Sequence, residues 1–240
     1  MKRRGRRGPS SRRTLYYVLG AVAVAAVVGA AVIFGRVGAP QAGASSTSKP
    51  IILYVNQGNG VVNGSNFGAL LQTATSHGFN TIFFQVYRSG SLLFDDASLR
   101  SFVTQAHGAG LKLFFALYFT NSSQTIPASI YGDGEDGINL DMSTLPAGAQ
   151  SSLLTALSSG YEGTTAITTT NPALALKPDL LIVETYGSGE QQYIHPGMIG
   201  SVGVFATTGK QDYQSQFNYA LSNSDGVMVF DYAGLVKAGY

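Results

Sequence analysis

From Ile51 onward, short apolar runs alternate with segments whose apolar residues recur at helical spacing. IILYV (51–55), FNTIFFQVY (79–87) and LKLFFALYF (111–119) read as strands. Between them, Asn66 to His77 places Phe67, Leu70, Leu71 and Ala74 on one helical face. Ala97 to His107 does the same with Leu99, Phe102, Val103 and Ala106. Both helices end in Ser-His-Gly or Ala-His-Gly, where Gly78 and Gly108 supply left-handed caps and His77 and His107 suit the negative end of the helix dipole. The pattern is a βα unit used twice in succession. Residues 120–136 are long and polar, a βα loop or a replaced helix. A fourth strand spans 137–142, and Ala147 to Ser159 reads as a helix through Leu153, Leu154 and Leu157. Strands at 164–170, 179–186 and 201–209, a helix at 212–222, a strand at 226–232 and a short tail complete the chain. The segment 171–178 is too short for a full helix, and Pro178 ends it.

Eight strands in alternation with helices or helix-length connectors, each strand apolar on both faces, predict a parallel sheet covered on both sides. The expected fold class is α/β, a compact (β/α)8 TIM barrel over residues 50–240, with truncated connectors after strands three, five and eight. An open doubly wound sheet is the alternative. Gly58, Gly60 and Gly64 follow strand one at the wrong spacing for a dinucleotide-binding loop.

Charge divides the chain. Eight of the 15 basic residues lie within the first 36 positions, and all 13 acidic residues come later. Residues 37–240 carry seven basic against thirteen acidic side chains, 7 − 13 = −6, which argues against nucleic acid as a partner. Residues 1–13 form a basic head. Leu15 to Phe34 is a run of 20 residues without a charge, about 30 Å as a helix. The expectation is a single membrane anchor over residues 14–36, with Tyr16 and Tyr17 at the interface, a cytoplasmic N-terminus and the barrel outside. A cleaved signal segment, which would make the barrel secreted, is the other reading. Residues 37–49, rich in Gly, Ala and Ser, form a flexible tether. The absence of cysteine excludes disulfides, thiol nucleophiles and Cys-ligated metals. Three scattered histidines give no zinc spacing, so neither cofactor nor metal is expected.

In such a barrel the chemistry sits at the carboxyl ends of the strands. Strand two ends in Gln85-Val86-Tyr87-Arg88, strand four in Asp141, strand six in Glu184 and strand eight in Asp231. All are even strands, whose inward side chains share a layer. Alternation puts Ile182 and Val229 inward below Glu184 and Asp231, and turns Leu140 and Phe230 toward the helices. Asn139 points inward and needs a polar partner. Asp141, Glu184 and Asp231 are the candidate catalytic residues. Gln85, Tyr87, Tyr118, Tyr186 and Tyr232 are the candidate substrate contacts, since sugar faces stack on rim aromatics. Two neighbouring carboxylates with separated pKa values are the apparatus for cutting a glycosidic bond. His195 is a lone loop histidine. Asn63-Gly64-Ser65 and Asn121-Ser122-Ser123 are glycosylation sequons in loops.

Asp136-Gly137-Ile138-Asn139-Leu140-Asp141-Met142-Ser143 resembles the fourth-strand signature of family 18 chitinase-like hydrolases, D-x-x-D-x-D-x-E. Asn139 replaces the middle Asp, and Ser143 stands where that family has its catalytic Glu. The same stretch, with Leu181-Ile182-Val183-Glu184, resembles the family 114 endo-α-1,4-polygalactosaminidases more fully. That resemblance implies Asp141 and Glu184 as the catalytic pair and a polysaccharide or oligosaccharide substrate. The expected function is a membrane-anchored, extracytoplasmic glycosidase. The alternative, prompted by Ser143, is a cell-surface barrel that binds glycans or partners without catalysis.

Overall fold

The two interleaved periodicities of the sequence close into a barrel. The computed structural model describes residues 48–58, 62–170, 177–186, 191–204 and 210–239. The expected membrane helix lies outside them. Among the described residues, no helix is long and apolar enough to cross a membrane.

The barrel strands are β1 (Ile51–Val55), β2 (Thr81–Arg88), β3 (Lys112–Tyr118), β4 (Gly137–Asp141), β5 (Thr164–Thr169), β6 (Leu180–Glu184), β7 (Ile199–Gly203) and β8 (Gly226–Phe230). Each pairs in parallel with the next, and β8 pairs with β1 to close the sheet. A two-residue strand, Ser91–Leu92, folds back antiparallel on the end of β2. The helices are α1 (Phe67–Ser76), α2 (Asp96–Gly108), α3 (Ala147–Gly160), α4 (Lys210–Asn223) and α5 (Tyr232–Lys237). The connector after β3 carries only a 3-10 turn, Ala128–Ile130. Ser48 to Tyr240 form one compact unit.

The apolar faces read from the sequence are the buried ones. α1 buries Phe67, Leu70, Leu71 and Ala74, and α2 buries Leu99, Phe102, Val103 and Ala106. Gly78 takes the left-handed conformation at φ +76°, as expected. The second helix runs on through Gly108, and Gly110 at φ +74° makes that turn instead. Strand seven starts two residues earlier than its apolar run suggests, at Ile199, and ends at Gly203. The expected tail contains α5.

Strand alternation divides the core in two. Leu53, Val55, Ile82, Phe84, Leu113, Phe115, Leu117, Ile138, Leu140, Ile167, Val227 and Val229 face the helices. Ile52, Tyr54, Phe83, Phe114, Ala116, Ala166, Ile182, Ile199 and Met228 fill the barrel. Extending each register in line around the sheet from Val55, through Phe84, Phe115, Ile138 and Thr165, gives a return to the line of β1 at the level of number 47, four before the first residue of the strand. The stagger, 55 − 47 = 8 residues, is the shear of a (β/α)8 barrel, one residue per strand. Inward residues therefore stack in layers of four from alternate strands. Ile52, Phe114, Ala166 and Ile199 form one. Phe83, Asn139, Ile182 and Met228 lie above it, then Tyr54, Ala116, Thr168 and Ser201. The layer nearest the carboxyl ends is Gln85, Asp141, Glu184 and Phe230.

The opposite face is pinned by a repeated device. The residue before a strand accepts a hydrogen bond from a backbone N–H at the start of the preceding strand. Asn80 Oδ1 takes Ile51 N at 2.9 Å, and Asp136 Oδ2 takes Leu113 N at 2.8 Å. Asp179 Oδ2 takes Thr165 N at 2.7 Å, and Asp225 Oδ2 takes Gly197 N, two residues before β7, at 3.0 Å. These groups satisfy strand-end donors that have no ladder partner.

Candidate active site

The upper layer is where an apolar barrel turns polar. Asp141 is the last residue of β4 and is only 5% exposed. Its Oδ2 accepts a 2.8 Å hydrogen bond from the Tyr54 hydroxyl, which rises from the layer below. Ser143 Oγ lies 3.5 Å from Oδ1, at the outer limit of a hydrogen bond. Burial pushes the Asp141 carboxyl up to about 7, against the Tyr54 hydrogen bond that favours its charged form. The neighbouring charge of Glu184 pushes in the same direction as burial.

Glu184 ends β6 and is half-buried. Its Oε1 accepts from the Tyr186 hydroxyl at 3.0 Å, and Ser201 Oγ donates to that hydroxyl at 3.4 Å. Burial raises the pKa of both Tyr54 and Tyr186 well above the usual phenol value. Each is thus a fixed O–H donor at any ordinary pH. Phe230 sits between them, its ring centroid 5.2 Å from Tyr54 and 5.7 Å from Tyr186. The result is two carboxyl groups, each held by one tyrosine, on an aromatic floor. One carboxyl is biased toward its protonated form while the other lies close enough to perturb it.

Gln85 completes the layer from β2. It is 1% exposed, and its Oε1 accepts the Gln57 N–H at 2.8 Å. One layer down, Asn139 Oδ1 accepts from Thr168 Oγ1 at 3.1 Å, while its Nδ2 is buried without a partner among the described residues.

Several side chains are placed otherwise than the alternation of the sequence implied. Tyr87 faces outward, because a bulge between Gln85 and Tyr87 shifts the alternation by one residue. It packs in the outer core against Phe119, and its hydroxyl donates to the Thr125 carbonyl at 3.2 Å. In β8, Val229 faces the helices and Phe230 faces inward, the reverse of the expected parity. Asp231 consequently leaves the barrel as the N-cap of α5, its Oδ1 accepting from Gly234 N at 2.9 Å. Tyr232, the first residue of α5, packs on the outer core. Asp136, first acid of the fourth-strand motif, sits at the opposite end of the barrel, bonded to Leu113 N and 2.8 Å from His107 Nε2. Tyr186 lies beside Glu184, to which its hydroxyl donates. Tyr118 reaches the rim, where the Arg88 guanidinium covers its ring at 5.4 Å. His195 is exposed on the connection that runs down to β7, with Nδ1 2.7 Å from the Pro196 carbonyl.

Tyr54, Ser201 and Phe230 were not legible as site residues. One signal existed for Tyr54: a tyrosine inside an otherwise aliphatic strand must find a partner for its hydroxyl. Among the described residues, no group of three His, Asp or Glu side chains is placed to hold a metal ion.

No family model matches the chain. No curated protein matches it either. Solved structures do. A GH113 beta-1,4-mannanase aligns with a TM-score of 0.52 at 10% identity, covering 77% of this chain and 88% of that one. A GH18 chitinase from the chitin utilization locus of Flavobacterium johnsoniae aligns at 0.50 and 10% identity, covering 78% and 89%. A putative dihydrodipicolinate synthetase from Pseudomonas aeruginosa aligns at 0.51 and 11% identity, covering 79% and 72%. The chain has the TIM barrel of these glycoside hydrolases. An enzyme of a different name shares it, so the fold alone does not choose the reaction.

Proposed function

We propose that the barrel is a glycosidase in which Asp141 and Glu184 cut a glycosidic bond. The observation that carries this reading is their shared layer at the carboxyl end of the barrel, each carboxyl held by its own tyrosine. Asp141, raised to about 7 and buried, is suited to give its proton to the leaving oxygen. Glu184, oriented by Tyr186, attacks the sugar or draws a proton from water. The acid role then falls to Asp141 itself, and Ser143 leaves no gap in the chemistry. Residues 14–36 hold the barrel on the outer face of the membrane, which a protease-accessibility assay on intact cells would check.

The test is turnover of neutral, amino and acidic oligosaccharides by the protein and its Asp141→Asn and Glu184→Gln variants. Each substitution is expected to lower turnover by about a hundredfold or more. Turnover unchanged in both variants would refute the pair. A second reading, a glycan-binding barrel without catalysis, draws on the 5% exposure of Asp141. It requires glycan binding that survives both substitutions, with no turnover of any substrate.

A further inference from the structure

Arg88 is the one arginine at a barrel strand end, and its placement is built. The bulge that turns Tyr87 outward changes the phase of β2, so that Arg88 comes over the neighbouring strands at the barrel mouth. Its Nη1 donates to Asn56 Oδ1, just past β1, at 3.2 Å. Its guanidinium lies over Tyr118, the last residue of β3, at 5.4 Å. Gly58 gives it room: a Cβ there would collide with Nη1, and Asn56 Oδ1 also accepts the Gly58 N–H at 2.7 Å. Three strand ends thus position one half-buried cation. Among the described residues it has no acidic partner. The ion pair there is Arg100 with Asp133, and His107 lies against Asp136, both elsewhere.

A half-buried guanidinium that is oriented but not neutralised is costly unless something anionic completes it. The strand-end carboxylates form no ion pair with it among the described residues, and the Tyr54 and Tyr186 hydroxyls donate to Asp141 and Glu184. β2 and β6 lie four strands apart, on opposite walls of an eight-stranded barrel, so Arg88 and Glu184 flank the mouth from either side. Tyr118, with the guanidinium on its face, acts as the seat of Arg88 rather than as a bare platform for a sugar ring.

We propose that Arg88 is a specificity residue that selects an anionic saccharide, pairing with an oxyanion on the sugar such as a uronate carboxylate or a sulfate ester. This rests on the reading of the mouth as a saccharide site. It sets the substrate apart from the amino sugars that the family 114 resemblance implies, because a fixed cation repels a free ammonium group.

The test is calorimetric titration of the full chain in detergent micelles with uronate oligosaccharides, their methyl esters, sulfated oligosaccharides and neutral ones. The acid is expected to bind at least about tenfold more tightly than its ester, which has the same ring and no charge. Arg88→Gln erases that difference, and Arg88→Lys keeps part of it. The ester comparison uses the wild-type chain, so it holds even if a variant fails to fold. A preference for the sulfated series over the uronates supports the proposal and assigns the oxyanion to the ester group. Equal binding of acid and ester together with no preference for the sulfated over the neutral series, absence of binding by any anionic saccharide, or a parallel loss of neutral saccharides in Arg88→Gln overturns it. Turnover is read separately. Arg88-dependent binding without cleavage removes the hydrolase reading and leaves this one. Cleavage of neutral sugars that depends on Asp141 and Glu184, with no advantage of acid over ester, does the reverse.

Discussion

Replacing Asp141 by Asn separates the thermodynamic burden of the site from its chemistry. In the native barrel the carboxyl titrates at about 7, against an ordinary value of 3.8. Between those two pH values the folded chain keeps a proton that the unfolded chain has released. Stability from this group is therefore fully present below about pH 4 and is lost as pH rises through 7. Three pKa units at 1.36 kcal/mol each set an upper bound of about 4 kcal/mol on the loss. Asn has nearly the same shape, carries no charge at any pH, and its Oδ1 can accept the Tyr54 hydrogen bond. The variant should match the wild type in stability near pH 4 and exceed it by about 2–4 kcal/mol at pH 8. For a domain of this size that is an increase in Tm of roughly 5–15 °C. The assay is denaturant unfolding of both proteins from pH 4 to pH 8. The stability difference between them cancels the titrating groups that do not interact with Asp141; the coupled neighbour Glu184 remains in it. A difference that stays constant across that range would refute the buried, elevated carboxyl, whatever the variant does to turnover.

Other substitutions test the remaining parts of the site. Tyr54→Phe removes the donor that favours the charged form of Asp141, so its pKa should rise above 7 by about one unit, read by carbon-13 titration of the carboxyl. A downward or absent shift would count against that hydrogen bond. Loss of the proton from Asp141 should make turnover fall as pH rises through about 7, and the Tyr54→Phe variant should carry that limb to higher pH. Asp231→Ala deletes a helix cap and should cost about 1 kcal/mol in denaturant unfolding, with turnover within about tenfold of wild type. A hundredfold loss would return Asp231 to the chemistry. Asp136→Ala leaves Leu113 N unpaired and should cost about 1–3 kcal/mol of stability at no expense to glycan binding.

The barrel was legible because its signal is redundant. Eight apolar strands and four helical faces each point to the same architecture, and small errors at the ends do not change it. The site depends on single-residue phase, where redundancy is absent. In β4 and β6 the alternation runs unbroken, and Asp141 and Glu184 come inward. In β2 one bulge sends Tyr87 to the outer core and brings Arg88 over the mouth. In β8 the run GVMVFDY is apolar on both faces, so nothing in it distinguishes Val229 inward from Phe230 inward. Register with β1, where Phe230 pairs with Tyr54, decides the phase, and that is a property of the closed sheet rather than of the strand. Tyr54 was hidden for a related reason. A strand buried on both faces has no polar side, so the one hydroxyl among aliphatic residues signals a need for a partner but not which face it takes.

The acidic residues show why the site can exist in so apolar a barrel. At the amino-terminal face, Asp136, Asp179 and Asp225 each accept backbone N–H groups, and Asp95 and Asp231 cap helices. Those carboxylates satisfy donors that folding would otherwise strand, so they stabilise the structure that holds them. Asp141 does the opposite: its carboxyl is buried at the end of β4, and the group that meets it is a phenol that itself needs a partner. Removing that carboxyl should make the protein more stable at neutral pH, whereas removing Asp136 should make it less so. A residue whose loss improves the fold has no folding reason to be charged. That contrast, measured by unfolding at neutral pH, is what the proposed role of Asp141 requires, without appeal to any relative.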